Sequence, residues 1–256
     1  MKRLFLLSVL LAASLAGAQD KAAEKLVDKA IEHAGGWDAW LATRTIQFRK
    51  TTVRFAEDGS VANTRVQFHK YVLQPSPMMR IDWESNGSQG VMINDGKQAW
   101  KLVNGKPATL QEDINSARNN TFGSHYVFSM PFKLRDPGTQ FEMTDTMTTE
   151  DGTVVHKIRV NYTKEAGDAG GMHTWTYMFD PQTGRLVCNH LQYAADKYDW
   201  TEYYDEKPVG GLLLSTRRVG YNADAKGKIG PKQSETIYDQ IQTNVEFPRD
   251  LFKPPR

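Results

Sequence analysis

The spacing of apolar residues changes once along this chain, from a helical period to a strand period. Residues 20 to 34 (DKAAEKLVDKAIEHA) place Ala23, Leu26, Val27, Ala30, Ile31 and Ala34 at three- and four-residue steps, which predicts a helix with one buried face. Gly35-Gly36 ends it, and Trp37 and Trp40 begin a short bridge into the first strand. From Arg44 the period is two. Ile46 and Phe48 share one parity, Val53 and Phe55 the other, so a bulge is expected near Lys50. Val66, Phe68 and Val72 alternate with polar residues, as do Met79, Ile81 and Trp83. Val154, Ile158, Val160 and Tyr162 form another row, and Trp175, Tyr177 and Phe179 one more. Asn86-Gly87, Asp95-Gly96, Asn104-Gly105 and Asp151-Gly152 fall between the runs, and such dipeptides tolerate the positive φ of tight hairpins. The pattern amounts to roughly ten or eleven strands joined by short turns. With no helix between most of them, the sheet is antiparallel.

Asp180-Pro181-Gln182-Thr183-Gly184 is one more turn in this meander, with Pro presetting φ and Gly taking the left-handed position. A calcium loop would want several carboxylates at alternate positions, and this loop offers one.

Residues 108 to 135 (ATLQEDINSARNNTFGSHYVFSMPFKLR) break the alternation. Leu110, Ile114 and Ala117 suggest a short helix, and Tyr126, Val127, Phe128, Met130 and Phe132 form a dense apolar cluster. An apolar insert of this kind covers the concave face of a sheet, either as a core plug or as a lid over an apolar cavity.

The start of the chain bears on compartment. Lys2 and Arg3 precede the apolar run Leu4 to Leu15, and Ala16-Gly17-Ala18 follows, which reads as a secretory signal peptide over residues 1–18 cut before Gln19. Gln19 is not the Cys of a lipoprotein, so a soluble exported protein without a lipid or transmembrane anchor is expected. Cys188 is the single cysteine, so the fold stands on its core without an internal disulfide. Removing Lys2 and Arg3 takes the formal charge from +2 to zero, which argues against a nucleic-acid partner.

The chemistry-bearing residues are sparse. His33, His69, His125, His156, His173 and His190 form no pair at metal-ligand spacing. His125 stands out only because it sits in the insert beside Tyr126. Cys188 lies in a strand with Leu186 and Val187 and reads as a buried structural thiol. Asp199, Glu202 and Asp205, in the run DKYDWTEYYDE, read more simply as strand residues with aromatics on one face and charges on the other. No nucleophile elbow and no phosphate loop is present. The expectation is therefore a protein that is not an enzyme, with no catalytic residue, no metal and no cofactor.

The stretches PSPMMRIDW, VMINDGKQAWKL, MPFKLRDPG, FDPQTGRLV and YYDEKPVGGLLLSTRRVGY, in this order after a helix and Gly-Gly-Trp, resemble the LolA/LolB-like superfamily of periplasmic lipoprotein-localisation factors. Within it the chain looks most like the outer-membrane lipoprotein-sorting-like proteins of uncharacterised function. The resemblance implies a mainly β fold with a few helices, in which one domain over residues 19–256 forms a strongly curved antiparallel sheet. This open half-barrel would carry the N-terminal helix and the helical insert over its concave face. It implies a periplasmic carrier in outer-membrane biogenesis that holds lipid or lipoprotein acyl chains between sheet and lid. The alternative is an envelope interaction or sensor module with a self-filled cavity and a protein partner. Family carriers hold the closed state with an arginine near the lid, for which Arg49, Arg54 and Arg80 are the strand candidates. The ligand-binding candidates are the large apolar residues Phe55, Phe68, Met79, Ile81, Trp83, Met92, Trp100, Tyr126, Phe128, Met130, Trp175, Tyr177 and Phe179. Burial at about 25 cal/mol per Å² of apolar surface would hold a single chain usefully.

Overall fold

The computed structural model describes residues 20–85, 87–163, 173–248 and 250–253. The leader read over residues 1–18, with its cleavage site, and Asn86 of the Asn86-Gly87 turn lie outside them. The first helix, α1 (Lys21–His33), begins where the Asp20 carboxylate accepts from the Ala22 and Ala23 amides, and it buries the predicted face from Ala23 to Ile31. Gly35 then takes φ 113° and turns the chain. Its neighbours form a second helix, α2 (Gly36–Ala42), rather than a bridge. The reason is tertiary: Trp40 lies flat on Phe132 with ring centroids 4.5 Å apart, which needs a helical turn to aim it.

The described residues hold thirteen strands in one antiparallel sheet. In chain order they are β1 (Thr45–Phe55), β2 (Val61–Val72), β3 (Met78–Ser85), β4 (Ser88–Asn94), β5 (Ala99–Val103), β6 (Lys106–Pro107), β7 (Thr139–Thr148), β8 (Val154–Tyr162), β9 (Thr174–Phe179), β10 (Leu186–Ala194), β11 (Lys197–Val209), β12 (Leu212–Ala223) and β13 (Ile229–Thr243). The spatial order is β6-β5-β4-β3-β2-β1-β13-β12-β11-β10-β9-β8-β7. Every neighbour is a hairpin partner except β1 and β13, which join two meanders at the middle of the sheet. The sheet is curved and does not close, because β6 and β7 remain as edges.

One expectation about β1 is corrected. The extra residue near Lys50 belongs to β13, where Gln240 has φ 51° and the register shifts opposite Gln47 to Arg49. β1 itself runs regularly to Arg54. Phe48 therefore faces the main core, whereas Val53 and Phe55 face the other side.

The edges dictate the path of the insert. A chain leaving β6 can reach β7 only by crossing a face of the sheet. That crossing is α3 (Gln111–Phe128), longer than the short helix expected, followed by a 3-10 turn over Phe132–Arg135. Both α1 and this insert cover the same face, called inner here. The main core lies between them and the sheet, with Ile46, Phe48, Tyr71, Tyr177 and Phe179 below and Val27, Ile31, Tyr126, Phe128 and Phe132 above. Arg135 ties insert to helix by an ion pair with Asp28. The Asp180–Gly184 turn docks on α1: Lys29 Nζ donates to the Pro181 carbonyl at 2.8 Å. Gly184, at φ 86°, sits so close that a Cβ there would lie 2.5 Å from the Lys29 carbonyl oxygen. On the outer face Val155, Met178, Cys188 and Trp200 make a second, smaller cluster.

Candidate functional site

The ground beneath α3 is apolar, yet the helix that covers it is not. Ile81, Met92 and Ala99, with Trp83 beside them, form a floor on β3 to β5, and the helix meets it with Ala117. The next residues on that side of α3 are Thr121 and His125, both buried. Thr121 Oγ1 donates back to the Ala117 carbonyl at 2.7 Å and accepts from Asn94 Nδ2 at 3.2 Å. At the helix start, Lys101 Nζ of β5 donates to Asp113 at 2.5 Å, and Arg118 donates to the Lys97 carbonyl at 3.3 Å. The first turns of α3 are thus seated by polar links and one methyl group. Its last turn is pinned instead: Phe128 stacks on Phe48 with centroids 4.0 Å apart, and Tyr126 lies 5.7 Å from Trp175.

His125 sits at the joint between the two regimes. Its ring lies edge-on to Tyr71, with centroids 5.4 Å apart. Burial first, and the Lys133 charge second, push its pKa down to about 3, so the imidazole is neutral.

The sequence candidates divide between the two faces. Met79, Ile81, Trp83 and Met92 stand on the inner face of β3 and β4. Tyr126, Phe128 and Met130 hang from the insert, and Trp175, Tyr177 and Phe179 form a packed row on β9. Trp175 and Tyr177 stack at 5.4 Å and 2°. Phe55, Phe68 and Trp100 are on the outer face, so they join no site under α3. Lys232 Nζ lies 4.4 Å from the Phe55 ring centroid, Phe68 is paired with Arg49 and Asp82, and Trp100 is paired with Ile93. Strict alternation along β1, β2 and β5 puts them there.

Among the described residues, the covered face is closely filled beside the end of α3. A gap of about 20 Å³ is left among Ala30, His33, Phe128, Leu186 and Arg218, against roughly 300–1,000 Å³ for small-molecule pockets. A larger opening, about 420 Å³, lies on the outer face between the turn after β7 and strands β10 to β12. Glu202 lines that groove. Asp199 faces the other side, and Asp205 pairs with Arg217 at 2.9 Å, so the acidic run does not converge. Cys188 is buried beside the groove, and its thiol is pushed up to about 12, mainly by burial.

Arg218 is the residue that sequence reasoning missed. It rises from β12 into the inner face, 8% exposed, with its guanidinium carbon 4.9 Å from the ring centroids of both Tyr203 and Tyr238. Its Nη2 donates to the Val127 carbonyl in the last turn of α3 at 2.9 Å. Of the three arginines considered, Arg49 and Arg80 are engaged on the outer face by Asp239 and Asp82. Arg54 stands on the inner face of β1, with no ion pair to the insert among the described residues. The signal was available in the row Leu212, Leu214, Thr216, Arg218, whose shared parity is buried throughout.

Comparison with known proteins agrees with this architecture. The chain is similar in structure to a LolA superfamily protein, NE2245, from Nitrosomonas europaea: TM-score 0.58, 10% identity, covering 91% of this chain and 97% of that one. It is similar to a DUF1329 family protein from Desulfovibrio piger at TM-score 0.56 and 8% identity, covering 90% and 97%. A putative outer membrane lipoprotein-sorting protein domain from Vibrio parahaemolyticus follows at TM-score 0.54 and 12% identity, covering 90% and 97%. At these identities the likeness is one of fold. No curated protein matches the sequence. Residues 2–211 match the model of a family of unknown function, DUF6503.

Proposed function

Because the chain belongs to the DUF6503 family and carries a LolA-like fold, we propose that it is an exported, non-enzymatic carrier that binds an acyl chain in the periplasm. The chain would lie on the floor of Ile81, Met92, Ala99 and Trp83 after the first turns of α3 swing away. One observation carries the reading: an apolar floor is covered by a helix face of Ala117, Thr121 and His125. A permanent plug would meet that floor with large apolar side chains. A cover that must leave is held better by a few polar links, each worth about 1 kcal/mol.

The test is to tether the cover. Lys101→Cys with Asp113→Cys replaces the ion pair at the helix start, and a reversible bis-methanethiosulfonate reagent joins the two thiols. Buried Cys188 stays out of the reaction. Uptake of a fluorescent fatty acid should vanish in the tethered protein and return on reduction. Uptake indifferent to the tether would sink this route of entry.

A second reading has its own observation. The 20 Å³ gap and the stacked aromatic core fit an envelope interaction module whose cavity is filled by its own side chains. Native mass spectrometry of the protein from its own envelope separates the two. A retained lipid of defined mass supports the carrier, and a bare protein that stays bare after lipid incubation supports the module.

A further inference from the structure

The inner face carries a group of cations for which the acyl-chain reading has no use. Lys50, Arg54, Arg65 and Arg218 come from β1, β2 and β12; Lys50 feels the charges of the other three, and Arg65 that of Arg54. The pairing explains why. Lys50 stands between Gln67 and Tyr238, and Thr52 of the same strand stands between Arg65 and Thr236, which in turn pairs with Arg218. His69, one step further along β2, feels both Lys50 and Arg65. No ion pair holds any of the four cations among the described residues. Arg65 has its guanidinium 5.5 Å from the Trp83 ring centroid, and Asp199 is the carboxylate that answers Arg54, from across the sheet.

Several polar atoms around these cations are idle. Arg65 Nε, Trp83 Nε1, His69 Nε2 and Arg218 Nε are buried atoms without a hydrogen-bond partner. His69 and Arg218 are themselves more than nine-tenths buried. His69 Nδ1 and the Tyr71 hydroxyl share a hydrogen bond of 2.6 Å, which leaves Nε2 as the ring atom without a partner. Buried donors of this kind are rare unless something completes them, and uncompensated like charges in one place are unfavourable. Lys50, Arg65 and Trp83 are only half-buried, and Arg54 is exposed, so the group can be reached from solvent.

We propose that Lys50, Arg54, Arg65 and Arg218, with the idle N–H group of Trp83, form a binding site for an oxyanion, the phosphate or carboxylate of an anionic amphiphile. Trp83 belongs both to this site and to the apolar floor. The ligand is thereby specified as an anionic head at Arg65 and Lys50 with its tail running under α3. The inference rests on the acyl-chain reading for the tail alone. The anion site stands on the charges and donors.

The experiment is titration calorimetry of the full chain with inorganic phosphate, decyl phosphate and decanol, against Arg65→Gln, Lys50→Met and the charge-retaining Arg65→Lys. Decyl phosphate should bind about tenfold or more tightly than decanol. Arg65→Gln and Lys50→Met should erase that difference, and Arg65→Lys should keep most of it. Binding of inorganic phosphate by itself, weakened by the same two variants, would also support the site and make it one for a free anion. Decyl phosphate and decanol bound equally, with no response to the variants, would overturn the anion site and leave the acyl reading standing. Failure of all three compounds to bind would overturn both.

Discussion

Arg218 Nη2 and the Val127 carbonyl oxygen are 2.9 Å apart, and this contact ties the middle of the sheet to the last turn of the covering helix. The Val127 carbonyl is among the last of α3, which have no partner within the helix. A cation there also answers the negative end of the helix. Arg218→Gln should therefore loosen the end of α3. Hydrogen exchange at the amides of His125 to Ser129 should speed up, by an amount equivalent to about 1–2 kcal/mol of lost local stability. Unchanged exchange there would show that the aromatic stacking alone holds the turn.

Phe128 belongs to that stacking. It lies on Phe48 and within 5.4 Å of Tyr238, centroid to centroid. Phe128→Ala should cost about 3–5 kcal/mol in urea unfolding. Trp83→Ala, at the half-buried rim of the floor, should cost distinctly less. Comparable losses would mean that α3 is seated along its whole length.

The neutral histidines set an acid limit. His125 is held down to about 3 by burial and Lys133, and His69 well below its ordinary value by burial, Lys50 and Arg65. Both take up a proton near pH 6.5 when the chain unfolds, and remain neutral when it is folded. The unfolded state therefore binds more protons, and stability is full above pH 6.5. It is lost as the pH falls towards 3, with a slope of up to about 1.4 kcal/mol per pH unit for each histidine. Chemical unfolding as a function of pH should display this, and His125→Gln should flatten the slope. An equally steep slope in that variant would place the effect elsewhere.

Cys188 offers a label for unfolding. Its thiol is buried and pushed up to about 12, whereas thiolates are the reacting species. At pH 8 the native protein should react with a thiol reagent only at the rate of unfolding, and fully in denaturant. Rapid labelling in native buffer would mean that the outer cluster opens readily.

Gly184 tests the docking of α1. The added methyl of Gly184→Ala meets the Lys29 backbone at 2.5 Å in an already left-handed residue. We expect a loss of about 1–3 kcal/mol and a less protected α1. An unaffected α1 would mean that the turn yields.

The strands were legible because strand period and turn chemistry are local properties. The rows through Ile81, Ile158 and Tyr177 stand where alternation placed them, and the Asp180–Gly184 turn is a hairpin turn. What period cannot give is which face a row turns to the helices. Phe55, Phe68 and Trp100 are large, apolar and regularly spaced, yet they face outward because their strands keep strict alternation beside Phe48, His69 and Ala99. Trp37 and Trp40 became a helix through a contact with Phe132, more than ninety residues away, which no local window contains. Arg218 was readable by parity and was overlooked, because a charged residue in a buried row is expected to be the exception.

The junction of the two meanders bears on how the chain assembles. β1 is among the first strands made and pairs with β13, the last, so residues such as Arg49 and Asp239 become neighbours across nearly the whole sequence. Contacts this remote slow folding. Until β13 arrives, β1 presents a bare line of amides and carbonyls that any extended chain could capture. A chain cut before Ile229 would keep two meanders with no strand to join them, and it should aggregate rather than persist as a smaller version of the whole.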